Sequence, residues 1–302
     1  MNPQGFGRQR EFCTFHPLIN MIYFVFVIGI TMFSMSPYFI AVSLSGAWGY
    51  SILLRGKQAL KFNLVMTLPM VGVMMIVNTL FNNNGETVLI YLNTSRITLE
   101  ALLFGLVGGL VLVAVVVWFS SFNVVMTSDK LIYLFGKVAP VLGLTLSMIF
   151  RFIPLLKSRF AEISLGQKCM GRGHDQGGFM QKTRQITKEI SILIAWSLEA
   201  SIESADSMEA RGYGLKGRTS FHLFQMERRD YLALIIMALT GIPVMIGCGA
   251  GMTNMLFFPK IVLDSMDYLT AGILFCYAVL VSLPFMIDMM GELKWKRLDL
   301  EM

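Results

Sequence analysis

The chain has 302 residues, of which 55% are hydrophobic and only 15% are charged. Its mean hydropathy of +0.64 fits an integral membrane protein better than a soluble domain. The net charge is +6, but the charges concentrate between Arg151 and Arg229, where both signs are mixed, so proteins rather than nucleic acid are the expected partners.

The chain begins with a polar segment, residues 1–17, that carries Arg8, Arg10 and Glu11. This segment lacks the short apolar core and the small-residue cleavage site of a signal peptide. We therefore expect the first hydrophobic span to remain in the mature protein.

Six mainly apolar runs follow, each near the length of about 20 residues that a helix needs to cross a bilayer core. They cover residues 18–35, 38–54, 62–81, 99–119, 231–251 and 268–289. The sequence therefore predicts an all-α protein, a polytopic membrane helix bundle with about six spans that is solvated by the lipid bilayer. We expect an N-terminal membrane bundle of four spans in residues 1–120, a cytosolic or interfacial region in 121–230, and two further spans in 231–302.

The distribution of lysine and arginine predicts the orientation, because cytosolic connections carry an excess of both. The N-terminus, the turn at residues 55–57, the region 121–230 and the segment 294–297 are basic, whereas the loops 82–98 and 252–267 carry few basic residues. Six spans with both termini in the cytosol satisfy this bias.

The segment Leu131–Phe150 is apolar enough for a seventh span, but Lys137 and Pro140 interrupt it. An odd number of spans would also place one terminus on the wrong side of the membrane. We therefore interpret this segment as a helix at the cytosolic interface or packed against the bundle.

Two long helices are predicted in the cytosolic region. The first covers residues 144–169 and bends at Pro154, because proline removes a backbone hydrogen bond and clashes with the preceding turn. The second covers residues 183–208 and ends before Gly212 and Gly214, since glycine commonly ends a helix.

The second of these helices has an apolar stripe at helical spacing. The stripe consists of Ile190, Ile194, Leu198, Ile202 and Ala205. Next to it lies a band of small residues, Ser197, Ala200, Ser201 and Ser204. Small side chains allow another helix to cross at close range, so this band and Pro154 are predicted to shape the packing of the two helices.

A short arginine-glycine motif follows each helix. The first is Gly171-Arg172-Gly173 and the second is Ala210-Arg211-Gly212. A solvated surface arginine is the usual explanation for either motif alone. Two copies, each after a helix, favour docking to two similar surfaces of partner proteins, because guanidinium donates several directed hydrogen bonds and keeps its charge.

The sequence predicts no catalytic residues, no metal site and no cofactor. The three histidines, His16, His174 and His222, show no metal-ligand spacing. The four cysteines lie far apart, which indicates neither a zinc site nor a disulfide framework.

Two other classes of function remain as alternatives. A membrane-embedded enzyme needs clustered ligands or an acid/base pair at membrane depth, and the spans are nearly free of acidic residues. A self-sufficient carrier or an ordinary ABC permease usually has an internal repeat and polar residues inside its spans. Since the chain also lacks a P-loop motif, ATP-derived energy would have to come from partner subunits.

The chain resembles the transmembrane T component of energy-coupling factor (ECF) transporters, a family that includes the T subunits of cobalt and biotin uptake systems. The resemblance covers most of the chain. It rests on residues 16–20, 82–86 and 98–100, on the segment 147–154 with the sequence SMIFRFIP, and on the two arginine motifs. The segment 147–154 and the second arginine motif are the most specific.

The resemblance implies that the two long cytosolic helices are coupling helices that cross, and that each arginine enters a groove on one of two ABC-type ATPase subunits. Arg211 matches the family's Ala-Arg-Gly motif in full, whereas Gly171 stands where the first motif usually has alanine. A separate membrane-embedded S component would bind the substrate, a vitamin or a metal ion. The resemblance further implies the plasma membrane of a bacterium or archaeon.

Overall fold

The structure is a computed structural model that describes residues 10–82, 84–92, 95–173, 178–215, 224–255, 257–258 and 267–301. The chain forms two compact units. The first unit comprises residues 1–127 and 224–302, and the second unit comprises residues 128–223.

The first unit contains seven of the helices in the described residues and one β-hairpin. These elements are α1 (Glu11–Thr14), α2 (Pro17–Phe33), α3 (Pro37–Arg55), α4 (Lys57–Phe81), β1 (Val88–Leu92), β2 (Ser95–Thr98), α5 (Leu99–Val125), α9 (Arg228–Gly249) and α10 (Tyr268–Glu301). The second unit contains α6 (Ser128–Val138), α7 (Pro140–Cys169) and α8 (Phe179–Ala210). The prediction of an all-α membrane bundle is confirmed.

Six helices are long and apolar enough to cross a membrane, namely α3, α4, α5, α7, α9 and α10. Five of them coincide with predicted spans. The first predicted span corresponds to α2, which has 17 residues and a length of about 26 Å at the helical rise of 1.5 Å per residue. The sixth candidate, α7, was not among the predicted spans.

The interpretation of Leu131–Phe150 as one helix is wrong. The segment is divided between two helices, because α6 ends at Val138 and α7 begins at Pro140. Ala139 takes an extended conformation with φ −140° and ψ 98°, and Pro140 begins α7. A residue before proline disfavours the helical region, while proline suits the first position of a helix. Gly136 and Gly143 then let the two helices meet at backbone contact.

The described ends of the chain lie at the same end of the first unit. Arg10 donates to Glu292 Oε1 of α10 over 2.7 Å and to the Leu53 carbonyl of α3 over 2.8 Å. At the opposite end, the backbone N–H groups of Met35 and Ser36 donate to the Thr253 carbonyl over 3.2 and 2.9 Å. The helices of this unit therefore alternate in direction along the chain.

A fully buried aromatic cluster forms the centre of the first unit. It contains Phe12, Tyr23, Phe24, Tyr50 and Trp118. Most of these rings meet edge to face, with centroids 5.2 to 6.4 Å apart, and such pairs add to the stabilisation from burial.

A polar network lies beside this cluster and links four helices. Trp118 Nε1 of α5 donates to Ser43 Oγ of α3 over 3.1 Å. The hydroxyl of Thr31 in α2 lies 2.7 Å from Ser43 Oγ and 2.8 Å from the hydroxyl of Tyr277 in α10. Since lipid offers no hydrogen-bond partners, this network fixes the register of the four helices.

Candidate docking tips and exposed face of the second unit

Helix α7 ends in a turn that presents Arg172. The Arg172 N–H donates to the Gln167 carbonyl over 2.9 Å, and the Gly171 N–H donates to the Lys168 carbonyl over 3.0 Å. Gly171 has φ +74°, in the left-handed region that glycine adopts without steric cost. This is a Schellman motif, and it places the exposed Arg172 immediately after the left-handed glycine.

Helix α8 ends in the same kind of turn. The Tyr213 N–H donates to the Met208 carbonyl over 3.0 Å, and the Gly212 N–H donates to the Glu209 carbonyl over 2.8 Å. Gly212 has φ +76°. Here the exposed Arg211 is the C-cap residue and stands immediately before the left-handed glycine.

The two arginines therefore occupy different positions in equivalent turns. Superposing the turns in register pairs Arg211 with Met170, and Arg172 with Tyr213. Met170 is 60% exposed and Tyr213 is 48% exposed. Each tip thus presents one arginine and one large apolar or aromatic side chain, but in opposite order along the chain.

The sequence motifs identified the arginines but missed Met170 and Tyr213. A signal for both was present, because each stands next to a glycine that follows a long helical pattern. Their role could not be assigned without knowing which glycine takes the left-handed conformation.

The apolar stripe of α8 is exposed. The exposed fractions of Ile190, Ile194, Leu198 and Ile202 rise along the helix from 43% through 54% and 62% to 65%. Large exposed apolar surfaces mark contact sites with protein or lipid. The stripe is therefore a candidate contact surface.

Serine hydroxyls in the neighbouring small-residue band bond to their own helix. Ser197 Oγ donates to the Ile194 carbonyl over 2.8 Å, and Ser201 Oγ donates to the Ser197 carbonyl over 2.7 Å. The polarity of these serines is thus partly satisfied inside α8. Together with Ala200 and Ser204, they leave a surface that a second helix can approach closely.

Helices α7 and α8 contact each other through polar and aromatic side chains. Arg159 Cζ of α7 lies 5.1 Å from the centroid of the Trp196 ring of α8, within the range of a cation–π interaction. Gln185 Nε2 donates to Gln167 Oε1 over 3.2 Å. Helix α7 itself continues through Pro154 to Cys169, so both tips stand on long helices.

No group of three or more His, Cys, Asp or Glu side chains that could hold a metal occurs in the described part of the chain. The four cysteines are free. His174 and His222 lie outside the described residues.

The model of one protein family, described as CbiQ cobalt transport protein, matches residues 14–222. This match includes both arginine tips. The chain belongs to the CbiQ family.

Relatives of this CbiQ family member carry the name energy-coupling factor transporter transmembrane protein EcfT. One from Streptococcus equi is 30% identical over 189 residues, which cover 58% of this chain and 70% of the relative. One from Streptococcus thermophilus is 35% identical over 114 residues, which cover 37% of this chain and 43% of the relative. One from Lactococcus lactis is 33% identical over 95 residues, which cover 31% of this chain and 36% of the relative.

The resemblance to the T component of ECF transporters is thereby confirmed. The matches to the S. thermophilus and L. lactis relatives span less than half of their lengths. Together with the apolar helices, the comparisons identify this CbiQ family member as a multi-pass membrane component of a transporter.

Proposed function

We propose that the chain is the coupling subunit of an ECF-type ABC importer, and that it transmits ATP-driven motion of two ATPase subunits to a substrate-binding S component. The observation that carries this proposal is the pair of arginine tips, each held by a Schellman turn at the end of a long helix. A rigid helix with an anchored tip can transmit displacement at one end to a contact at the other.

Arg172 and Arg211 are the proposed anchors. Both are exposed in the free chain, so their guanidinium groups can enter grooves on the ATPases. Gly171, Gly173, Ala210 and Gly212 hold the turns that aim them. Docking both tips to the ATPases couples the separation of the two nucleotide-binding subunits to the geometry of α7 and α8.

The exposed face of α8 is the proposed surface toward the S component. Its large apolar side chains supply contact area, while Ser197, Ala200, Ser201 and Ser204 permit close approach. We further propose that the cargo is a micronutrient, either a vitamin or a metal ion. The names of the family and of the relatives support transport, and the S component would select the substrate.

We propose the plasma membrane of a bacterium or archaeon as the location, with both termini in the cytosol. The hydrogen bond from Arg10 to Glu292 supports the placement of both termini on the same side of the membrane. The lysines and arginines in the connections support the cytosol as that side. The corresponding division is residues 1–120 and 231–302 in the membrane, and residues 121–230 at the cytosolic side. In this proposal α7 lies at the interface, although it is long and apolar enough to cross a membrane.

In this proposal the chain is a non-catalytic subunit. The sequence has no P-loop motif, so hydrolysis of ATP is assigned to the partners. Arg172 and Arg211 act as mechanical anchors and do not contact the nucleotide.

Affinity purification of the tagged chain in mild detergent tests the proposal. We expect two ABC-type ATPases and one small membrane protein to purify with it, and the Arg172→Ala, Arg211→Ala double variant to lose the ATPases. Recovery of the chain alone under conditions that preserve membrane complexes would contradict the proposal. So would uptake by the purified chain alone in liposomes, which would favour a self-sufficient carrier.

A further inference from the structure

A cleft of about 520 Å³ opens between α9, α10 and the N-terminal segment of the first unit. Its walls are apolar and include Leu232 and Ile236 of α9. The side from α10 includes Val279, Leu283, Met286 and Met290, which recur at helical spacing. The volume lies within the range of pockets that hold small organic ligands.

The cleft has a buried apolar floor and exposed apolar rims. Leu283 is buried at 6% exposure, whereas Leu232 is 61% exposed and Met290 is 55% exposed. The buried residue forms the floor and the exposed ones form the rims. Because α9 and α10 are both candidate membrane spans, an acyl chain of the bilayer can reach these rims.

One end of the cleft lies at the boundary between hydrocarbon and water. Helix α9 begins with charged residues at 228–230 before its apolar run, and such a cluster is too costly for the hydrocarbon core. Glu292 of α10 lies at the same end, where it accepts a hydrogen bond from Arg10. The apolar cleft therefore ends at the level of lipid headgroups.

Two charged residues, Arg229 and Glu11, line this mouth of the cleft. Arg229 Nε lies 2.9 Å from Glu227 Oε2, and Arg229 Nη1 lies 3.6 Å from Glu11 Oε2. Its Cζ lies 5.1 Å from the centroid of the Phe15 ring. The side chain of Arg229 is still 42% exposed, so part of its guanidinium group can donate hydrogen bonds to a ligand.

We infer that this cleft binds a phospholipid with a primary-amine headgroup, with one acyl chain between α9 and α10. The phosphate accepts hydrogen bonds from Arg229, and the ammonium group donates to the carboxylate of Glu11. Glu227, which caps α9 and lies 2.9 Å from Arg229 Nε, holds the guanidinium in place. The guanidinium of Arg229 and the carboxylate of Glu11 line the same mouth, and this pair matches a zwitterionic headgroup better than an anionic one, because an anionic headgroup offers no cation to Glu11. This inference is independent of the proposed coupling function.

Lipid retention on the purified full chain tests the inference. The chain is exchanged into mixed micelles that contain equal amounts of phosphatidylethanolamine, phosphatidylcholine and phosphatidylglycerol, and bound lipid is counted by native mass spectrometry. We expect phosphatidylethanolamine to be retained about tenfold over the other two, since charge-assisted hydrogen bonds contribute enough for one decade in affinity.

Two pairs of variants localise the effect. Arg229→Gln should abolish the preference, whereas Arg228→Gln, one residue earlier and outside the cleft lining, should keep it. Leu232→Trp should fill the cleft and lower total retention. Leu239→Trp should not, because Leu239 is 74% exposed two turns along the same face of α9 and does not line the cleft.

Three results would overturn the inference. Equal retention of the three lipids by the unaltered chain would remove the headgroup site, and preference for phosphatidylglycerol would assign the mouth to anionic lipid. A photoreactive amino acid in place of Leu232 that crosslinks in membranes to a protein subunit, and not to lipid, would show that a partner helix covers the cleft.

Discussion

Arg172 follows the left-handed glycine of its helix-ending turn, whereas Arg211 precedes the left-handed glycine of its own turn. The two guanidinium groups therefore leave equivalent backbones from different positions. In the proposed complex, two similar grooves on the ATPases would have to be reached with different side-chain conformations of the two arginines. Arg211, as a C-cap residue, is held closer to the helix than Arg172.

We expect Arg211→Ala to weaken ATPase docking more than Arg172→Ala. Removing a hydrogen-bonded charge that is buried at an interface typically costs about 2 to 5 kcal/mol. Because Arg211 is held closer to its helix, it loses less conformational entropy on docking than Arg172, so its removal should cost more binding free energy. The amount of ATPase that purifies with each variant from matched membranes measures how much docking each substitution removes. Arg228→Ala, an exposed arginine in the first unit, is the control, and equal binding by all variants would contradict the role of the tips.

The left-handed glycines supply a second prediction. Gly212→Ala should distort the α8 tip, because a β-carbon costs about 1 to 2 kcal/mol in the left-handed region and would also lie 2.9 Å from Leu215 Cδ1. We expect less ATPase to purify with this variant, and we expect little change in the thermal stability of the first unit.

Gly166→Ala is the matched control for this glycine. Gly166 lies inside α7 with no atom within 4 Å of an added β-carbon. Alanine should therefore be neutral or favour the helix by up to about 1 kcal/mol. If Gly166→Ala weakens docking as much as Gly212→Ala, the left-handed turn is not the cause.

Most of the long helices could be predicted because each contains an apolar run or a stripe of apolar residues at helical spacing. Several of them also end next to glycine, as α3 does at Gly56 and α8 at Gly212. The hairpin of β1 and β2 was not predicted, although Val88–Leu92 is rich in β-branched and aromatic residues. Helix α5 also extends six residues beyond the predicted span 99–119, to Val125. Phe122 and Val125 continue the apolar run, and Val125 is fully buried.

The candidate site was only partly predictable for a physical reason. The positions of Arg172 and Arg211 follow from the sequence, but their place in the turn depends on which glycine becomes left-handed. That choice depends on where the last helical hydrogen bond forms. Relative to the arginine, this point lies two positions earlier in α7 than in α8. The pairing of Arg10 with Glu292, which are far apart in sequence, could not be predicted from local patterns.

A third prediction concerns the contact between α4 and α5. A β-carbon on Gly109 would lie 2.9 Å from Val71 Cα, whereas one on Gly108 would meet only Met74 Cε at 3.9 Å. Gly109→Val should therefore force the helices apart and destabilise the bundle by about 1 to 3 kcal/mol or more. Gly108→Val should be tolerated, since the end of a methionine side chain can move.

Thermal unfolding of the detergent-solubilised chain, followed by the loss of the monodisperse peak in size-exclusion chromatography, compares these two variants. We expect a clearly lower midpoint for Gly109→Val. Equal midpoints for the two variants would show that α4 and α5 are not in close backbone contact.

The fourth prediction tests the buried polar network. Trp118→Phe removes the donor to Ser43 Oγ and leaves Ser43 with fewer partners inside the bundle, which should cost about 1 to 3 kcal/mol. Trp48→Phe, at a half-buried position, is the control for removal of an indole N–H, because the buried Nε1 of Trp48 has no hydrogen-bond partner among the described residues. That variant should be neutral or slightly stabilising, since it removes an unsatisfied donor. The measurement is the midpoint of thermal unfolding of each variant in the same detergent. If Trp48→Phe lowers the midpoint as much as Trp118→Phe does, the loss of ring volume and not the loss of the hydrogen bond to Ser43 explains the destabilisation.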